Sequence, residues 1–330
     1  MRVLVVCRYH GGKPAPFVAE QVDAVAQAAR RERGVLEMKM MDSSGGYWRF
    51  AKRLRKVIRT WHPDVVHAHY GLTGFFSCVG RLLSCSTGKP RIVVTYHGSD
   101  VNEGKTRWLC RLTSRMATWN VYVSETLKAK GCVGGKGTVI ACGVDTNVMR
   151  YREKPEGEKG ACVLFAGAFD NEVKNAKLAQ AAVARLMEHG GGKEVSLREL
   201  KGMTREEVAD ALAECDALLM TSRSEGSPQV IKEAIACGTP IVSVDVGDVA
   251  ERCKDVKNAI VVKRGVNGDD EELAECLASA LERVMKMGHE KDGVETLRRQ
   301  GLTNDVIGEK ILRIMKKEEF LESLGGHRNL

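Results

Sequence analysis

The chain has 330 residues, of which 43% are apolar and 28% charged; that balance excludes disorder and leaves room for two domains. No run of eighteen apolar residues occurs, and the short N-terminal run lacks the cleavage site of a secretory signal, so a cytosolic protein is expected. The net charge of +8 is uneven: residues 1–150 carry 24 Lys/Arg and 10 Asp/Glu (+14), residues 151–330 carry 27 and 33 (−6).

In chain order, β-branched apolar runs mark strands at 2–7, 64–68, 92–96, 120–123 and 138–141, with a weaker candidate at 35–38. Amphipathic stretches at 17–31 and 47–61 lie between them. Strands alternating with helices read as βαβ units and a parallel sheet. The segment 151–160 is charged, carries Pro and Gly and has no periodicity, which marks an interdomain linker. The alternation resumes with strands at 161–165, 217–221, 240–244 and 259–262 and helices at 175–188, 205–213, 228–236 and 271–286. The expected fold is α/β, two Rossmann-like domains (1–150 and 161–330) facing a central cleft. Ligands of such sheets bind beyond the carboxyl ends of the strands. The eleven cysteines include no C-x-x-C pair, so they are expected as reduced, small hydrophobes.

The motifs follow strands, as that rule requires. After the first strand stands His10-Gly11-Gly12-Lys13; paired glycines let backbone approach a ligand, although an ordinary βα turn uses them equally. They do not make the G-x-G-x-x-G of a dinucleotide site. The stretch 47–61 has one apolar face (Phe50, Leu54, Val57, Ile58, Trp61) and five bases, Lys52, Arg53, Arg55, Lys56 and Arg59. The apolar face is expected to pack on the sheet. The basic face is either simply solvated or meets anionic headgroups. His67 and His69 end a strand on one face, but no third metal ligand has suitable spacing, so no metal site is assigned. His97 and Asp100 flank Gly98 after the strand ending at Tyr96. They are able to converge on a polyol; a strand-end His is also a common structural residue.

In the second half, Lys174 follows the strand 161–165 through a short loop, where its charge could offset a diphosphate leaving group. The segment Glu225-Gly226-Ser227-Pro228 follows the strand 217–221 and turns into a helix that carries Glu233. Free amides at such a helix start suit an anion. Carboxylates eight residues apart would lie about two turns apart on one helix and hold two ends of an elongated ligand; an ordinary surface helix with an acidic start fits the same spacing.

The run from Glu225 to Glu233, continuing Ala-Ile-Ala-Cys-Gly-Thr-Pro240 and Asp245-Val-Gly-Asp, resembles the Glu-x7-Glu signature of family 4 retaining glycosyltransferases, which have the GT-B fold. The resemblance spans essentially the whole chain. It implies a nucleoside diphosphate sugar as co-substrate, no cofactor, and transfer to a saccharide or lipid-linked saccharide with retention by front-face attack. It implies that Glu225 contacts the donor sugar and Glu233 the ribose, and that the amides of Gly226 and Ser227 meet sugar or phosphate. His97 would bond the sugar near the reacting carbon, with Asp100 supporting it; Lys174 would neutralise the diphosphate, and the glycine loop at Gly12 would reach the donor phosphate or the acceptor. The sequence departs from the pattern at Phe169, where the family has an arginine; Arg223 and Arg8 are candidate substitutes. A base-contacting loop is expected near residues 198–201. In the family the N-terminal domain takes the acceptor, so the +14 half would face an anionic membrane-held acceptor in envelope polysaccharide synthesis, with the enzyme peripheral on the inner face of the membrane. Nucleic acid would need stacking aromatics among the bases, and aromatic content is only 5%. A sugar-nucleotide epimerase of similar build and a non-catalytic sugar-nucleotide binder are the rival readings.

Overall fold

The computed structural model describes residues 1–85, 88–102, 104–132, 134–154, 160–192, 194–264 and 269–317. It divides into two compact units.

The first unit contains Met1–Gly143 and the chain from Asn304 on. Its elements are β1 (Arg2–Cys7), α1 (Pro16–Arg31), β2 (Glu37–Asp42), α2 (Tyr47–Trp61), β3 (Val65–His69), α3 (Gly71–Ser84), β4 (Arg91–Tyr96), α4 (Ser99–Asn102), α5 (Gly104–Met116), β5 (Trp119–Tyr122), α6 (Glu125–Gly131) and β6 (Gly137–Val139). The strands form one parallel sheet in the order β2-β1-β3-β4-β5-β6. Along β1, Val3 and Val5 pack toward α1, while Leu4 and Val6 pack with Phe50, Leu54 and Ile58 of α2. Both faces of a doubly wound sheet are covered, which is why β1 reads as a continuous apolar run.

The second unit, Val144–Thr303, contains β7 (Ala161–Phe165), a 3₁₀ turn (Glu172–Lys174), α7 (Ala176–His189), β8 (Val195–Glu199), α8 (Arg205–Glu214), β9 (Ala217–Met220), α9 (Gln229–Cys237), β10 (Ile241–Val244), α10 (Val249–Cys253), β11 (Ala259–Val262), α11 (Asp270–Met287) and α12 (Gly293–Arg299). The sheet order is β11-β10-β9-β7-β8, again parallel. Counted from its own first strand, the second sheet runs 2-1-3-4-5, the flavodoxin-like variant of the doubly wound fold, and the first runs in the same order with a sixth strand added at the far edge. Its switch point lies between β1 and β3 in one unit and between β7 and β9 in the other.

Several boundaries differ from expectation. The second strand is β2, starting two residues later than the weak run at 35–38. Pro228 is the N-cap of α9 rather than part of its first turn. The division falls at Gly143/Val144, ahead of 151–160, because Val144 bridges Thr303 where the chain passes out and back. Residues 155–159 of that segment lie outside the described residues. The last helix, expected over 305–324, is α13 (Asn304–Lys316); it packs on α1 through Ile307 and Ile311, and residues 318–324 lie outside the described residues.

All described cysteines are free thiols. Burial pushes Cys7, Cys78, Cys110, Cys237 and Cys253 up to about 12, which keeps them protonated. Among the described residues no helix is long and apolar enough to cross a membrane.

Candidate functional site

The predicted site residues fall into two groups, one beyond each switch point.

In the first unit, His10 and Lys13 close a tight turn by mutual backbone bonds of 2.8 and 3.2 Å. Gly11 and Gly12 fill its centre at φ +58° and +78°, the pair of left-handed conformations a type I′ turn requires. A Cβ on either would meet nothing within 4 Å, so glycine serves the backbone geometry and not close packing.

His69 ends β3, and His97 follows β4. His69 Nδ1 and His97 Nε2 are 3.0 Å apart, with the rings stacked at 5.3 Å. His67 packs behind at 4.5 Å, and its Nε2 meets Thr95 Oγ1 at 2.8 Å. Phe17 and Tyr70 flank His97 at 4.7 and 4.9 Å; Cys142 Sγ lies 3.7 Å from its Nδ1. Burial lowers the His67 pKa to about 4. The same burial, with repulsion from His67 and His97, holds His69 well below the ordinary range. Both rings are therefore neutral at pH 7. Among the described residues no group of three or more His, Cys, Asp or Glu is arranged to hold a metal ion.

Asp100 is buried and spent on backbone. Its Oδ2 accepts from Gly71 N at 2.8 Å and its Oδ1 from Gly98 N at 3.0 Å. Burial raises its pKa and these amides pull it back. The carboxylate thus ties the His97 loop to the start of α3. Tyr70, just before that helix, sits at φ +73° and ψ 144°. A residue other than glycine held there costs about 1–3 kcal/mol, a strain typical of functional sites.

In the second unit, Lys174 comes off the 3₁₀ turn after β7, and its Nζ pairs with Glu225 Oε1 at 2.7 Å. Its stem crosses Gly167, where a Cβ would meet Lys174 Cγ at 2.7 Å; glycine clears that path. Thr221, after β9, anchors the turn by donating to the carbonyls of Lys174 and Asn175 at 2.9 and 3.0 Å. Glu225 lies in the loop before α9 and only Glu233 is helical, so the two acids are not two turns of one helix. Glu233, with 4% of its side chain exposed, accepts from Arg205 at 2.6 Å. Gly226 is buried beside Ser227; Ser222 Oγ and Ser227 Oγ are buried without a hydrogen-bond partner among the described residues. Buried hydroxyls left unsatisfied require an explanation, and a bound ligand is one.

Phe169, where the resemblance implies an arginine, stacks on Phe165 at 5.2 Å. Arg223 stands on the same loop system: its N–H donates to Val173 O at 2.8 Å and its guanidinium to Asn175 Oδ1 at 3.3 Å. In the predicted base-contacting segment, Arg198 and Glu199 belong to strand β8 and Lys201 pairs with Asp170 at 2.5 Å.

Sequence reasoning missed Arg205, Tyr70 and Cys142 as neighbours of the site. Thr204 and Glu207 form a capping box that starts α8, a signal legible in sequence, but nothing in it pairs Arg205 with Glu233.

Residues 1–148 match the model of Glycosyltransferase Family 4, and residues 160–283 match that of Glycosyl transferases group 1. An uncharacterized glycosyltransferase of Methanocaldococcus jannaschii is 26% identical over 233 residues, 65% of each chain. A putative teichuronic acid biosynthesis glycosyltransferase of Bacillus subtilis is 26% identical over 220 residues, 58% of this chain and 56% of the relative. The matches thus span less than two thirds of those relatives' own lengths. Sucrose-phosphate synthase of Thermosynechococcus elongatus superposes with a TM-score of 0.73 at 13% identity, covering 97% of this chain and 99% of that one. Anabaena HepE in complex with UDP-glucose gives 0.69 at 16% identity, covering 96% and 100%. At such identities these likenesses show the fold, two parallel-sheet domains of the GT-B type.

Proposed function

From the premise that this chain belongs to the family 4, group 1 glycosyltransferases, we propose that it moves a sugar from a nucleoside diphosphate sugar to an acceptor hydroxyl with retention of configuration. The observation that carries this reading is the group beyond β7 and β9. A lysine and a carboxylate in contact, two orphaned serine hydroxyls and the start of α9 surround one small region, and a buried carboxylate lies further along the helix. Free amides at a helix start favour a diphosphate. Lys174 exchanges its bond with Glu225 for the departing phosphate, which releases Glu225 to accept from a sugar hydroxyl. Arg205 takes one oxygen of Glu233 and leaves the other for ribose. Positioning and leaving-group stabilisation then supply the catalysis.

His97 is assigned the donor sugar near the reacting carbon. Its Nε2 lies 3.0 Å from Nδ1 of the neutral His69, which fixes the ring where it would meet a sugar hydroxyl. Two structural neighbours were solved with UDP, and one of them with UDP-glucose, which favours trying uridine donors first.

The acceptor is read as an anionic, membrane-held saccharide of an envelope polymer. The +14 balance of residues 1–150 supports this, as does the teichuronic acid relative. On α2, Phe50, Leu54 and Ile58 are fully buried while Lys52 and Lys56 are exposed, and Trp48 beside them is 64% exposed.

A calorimetric screen of uridine and guanosine diphosphate sugars, followed by NMR of the product's anomeric proton, tests the proposal. Binding of one donor and a product of unchanged configuration are expected. No binding of any donor would overturn it. Conversion of free donor without acceptor would indicate an epimerase, and binding without turnover a non-catalytic binder.

A further inference from the structure

The first unit holds a cavity of about 300 Å³ lined by Arg8, His10, Tyr47, Tyr70, Thr73 and Thr106. That volume is at the lower end of ligand pockets, about 300–1,000 Å³, and suits one sugar ring better than a nucleotide. The wall is unusual in its charge. Arg8 and His10 stand at the end of β1 with no acidic partner among the described residues. Asp100 is the carboxylate that reaches the cavity, and both its oxygens are bound to the amides of Gly71 and Gly98. Tyr70 is held at positive φ by its bond to Thr95 O at 2.8 Å and by the Asp100 clasp beside it. Tyr47 opens α2, and Tyr70 immediately precedes α3.

We propose that this cavity binds an acidic sugar unit of the acceptor, its ring lying against Tyr70 and Tyr47 and its carboxylate or phosphate meeting Arg8 and His10. The chemistry follows from the residue types. An aromatic ring offers an apolar body to the C–H face of a sugar. A guanidinium fork pairs two parallel N–H groups with a planar carboxylate or a phosphate. Thr106 Oγ1 donates to Asp100 O at 2.8 Å and Thr73 Oγ1 shares a proton with Ser43 Oγ at 3.2 Å, so each presents its oxygen as an acceptor for a sugar hydroxyl. The inference rests on the reading above that the first unit takes the acceptor, and it narrows that acceptor to one bearing an anion on the sugar itself.

NMR titration of the full chain with methyl β-glucuronide, glucose 6-phosphate and methyl β-glucoside tests it, with UDP and GDP titrated by calorimetry in parallel. At least one acidic probe is expected to bind about fivefold or more tightly than the glucoside. A glucuronide preference names a carboxylate and a phosphate preference names a phosphate. Arg8→Gln, an exposed change that leaves the fold intact, should erase the preference. Tyr70→Gly, which suits the positive φ, should lose all three sugars while melting normally. Nucleotide binding in Tyr70→Gly should stay within about twofold of the parent. Equal binding or no binding of the acidic and neutral probes would overturn the proposal, as would a preference that survives Arg8→Gln. Weakened UDP or GDP binding in Arg8→Gln would instead assign Arg8 to the donor diphosphate. Absence of nucleotide binding in the parent would count against the donor reading alone.

Discussion

At the end of β3 and just beyond β4 in the first unit, three imidazoles pack ring to ring, at least two of them neutral through burial. Beyond β7 and β9 in the second, two ion pairs stand at 2.7 and 2.6 Å. The first five strands of each unit take the same order. The comparison separates what a topology does from what side chains do. A doubly wound sheet opens a crevice at its switch point wherever it occurs. Whether that crevice meets hydroxyls or phosphates depends on the charge placed there. Neutral rings stripped of water suit a hydroxyl; ion pairs that exchange partners suit a dianion.

Lys174→Gln should produce the largest effect on this contrast. Removing a donor aimed at a leaving group typically costs about 10²–10³-fold in rate, so single-turnover transfer should fall by that order. A rate within about threefold of the parent would remove the ionic half of the comparison.

The neutral half is tested by acid. Below about pH 6.5 the unfolded imidazoles take up protons while folded His67 stays neutral down to about 4. The unfolded chain binds more protons in that window, so stability falls as pH falls. For His67 alone the loss approaches about 3 kcal/mol. Hydrogen exchange of β3 and β4 amides at pH 7 and 4.5 should show it, and His67→Gln should flatten the dependence. Equal protection at both pH values would mean that the rings are not buried neutral.

Glu233→Ala should weaken donor nucleotide binding by about 1.5–3 kcal/mol. Unchanged binding in the folded variant would break the ribose assignment.

The charge asymmetry between the halves predicts a smaller effect. Arg53 already donates to the carbonyls of Asp42 and Ser44, and Arg59 to that of Ser84. Lys52 and Lys56 then carry most of any headgroup attraction, about 2 kcal/mol together. Co-sedimentation with anionic vesicles should drop at high salt and in a variant with Lys52, Arg53, Lys56 and Arg59 changed to Gln. Equal partitioning to neutral vesicles would end the membrane reading. The smallest effect is expected from EDTA. Transfer should be unchanged because Lys174 and the start of α9 supply the positive potential. Loss restored by magnesium or manganese would show that a metal completes the site, a need that Phe169 in place of an arginine makes worth testing.

Most of the strands were legible because each is a short, largely apolar run, and β1, β3, β4, β9 and β10 are buried almost throughout. β8 escaped because it lies at an edge: its sequence Val-Ser-Leu-Arg-Glu is only half-buried, and polar alternation at an edge resembles a loop. α3 escaped for a different reason. Gly71, Gly74 and Gly80 weaken its helical signal, yet a Cβ at Gly74 would meet Val94 at 2.7 Å. Close packing selected residues that propensity disfavours.

What the sequence determined by itself is therefore the alternation of elements, the position of each motif after a strand, and the identity of the charged side chains, since all three depend on residues near one another in the chain. Only the tertiary structure decided which of those side chains meet. His69 ends β3 and His97 follows β4; Arg205 and Glu233 come from separate helices. α13 leaves the second half of the chain to cover Val3 and Val5 through α1. The two side-chain pairings each join residues 28 apart with whole elements between them, and they rest on how those elements pack and on the surface that packing buries. Neither leaves a mark on the residues between.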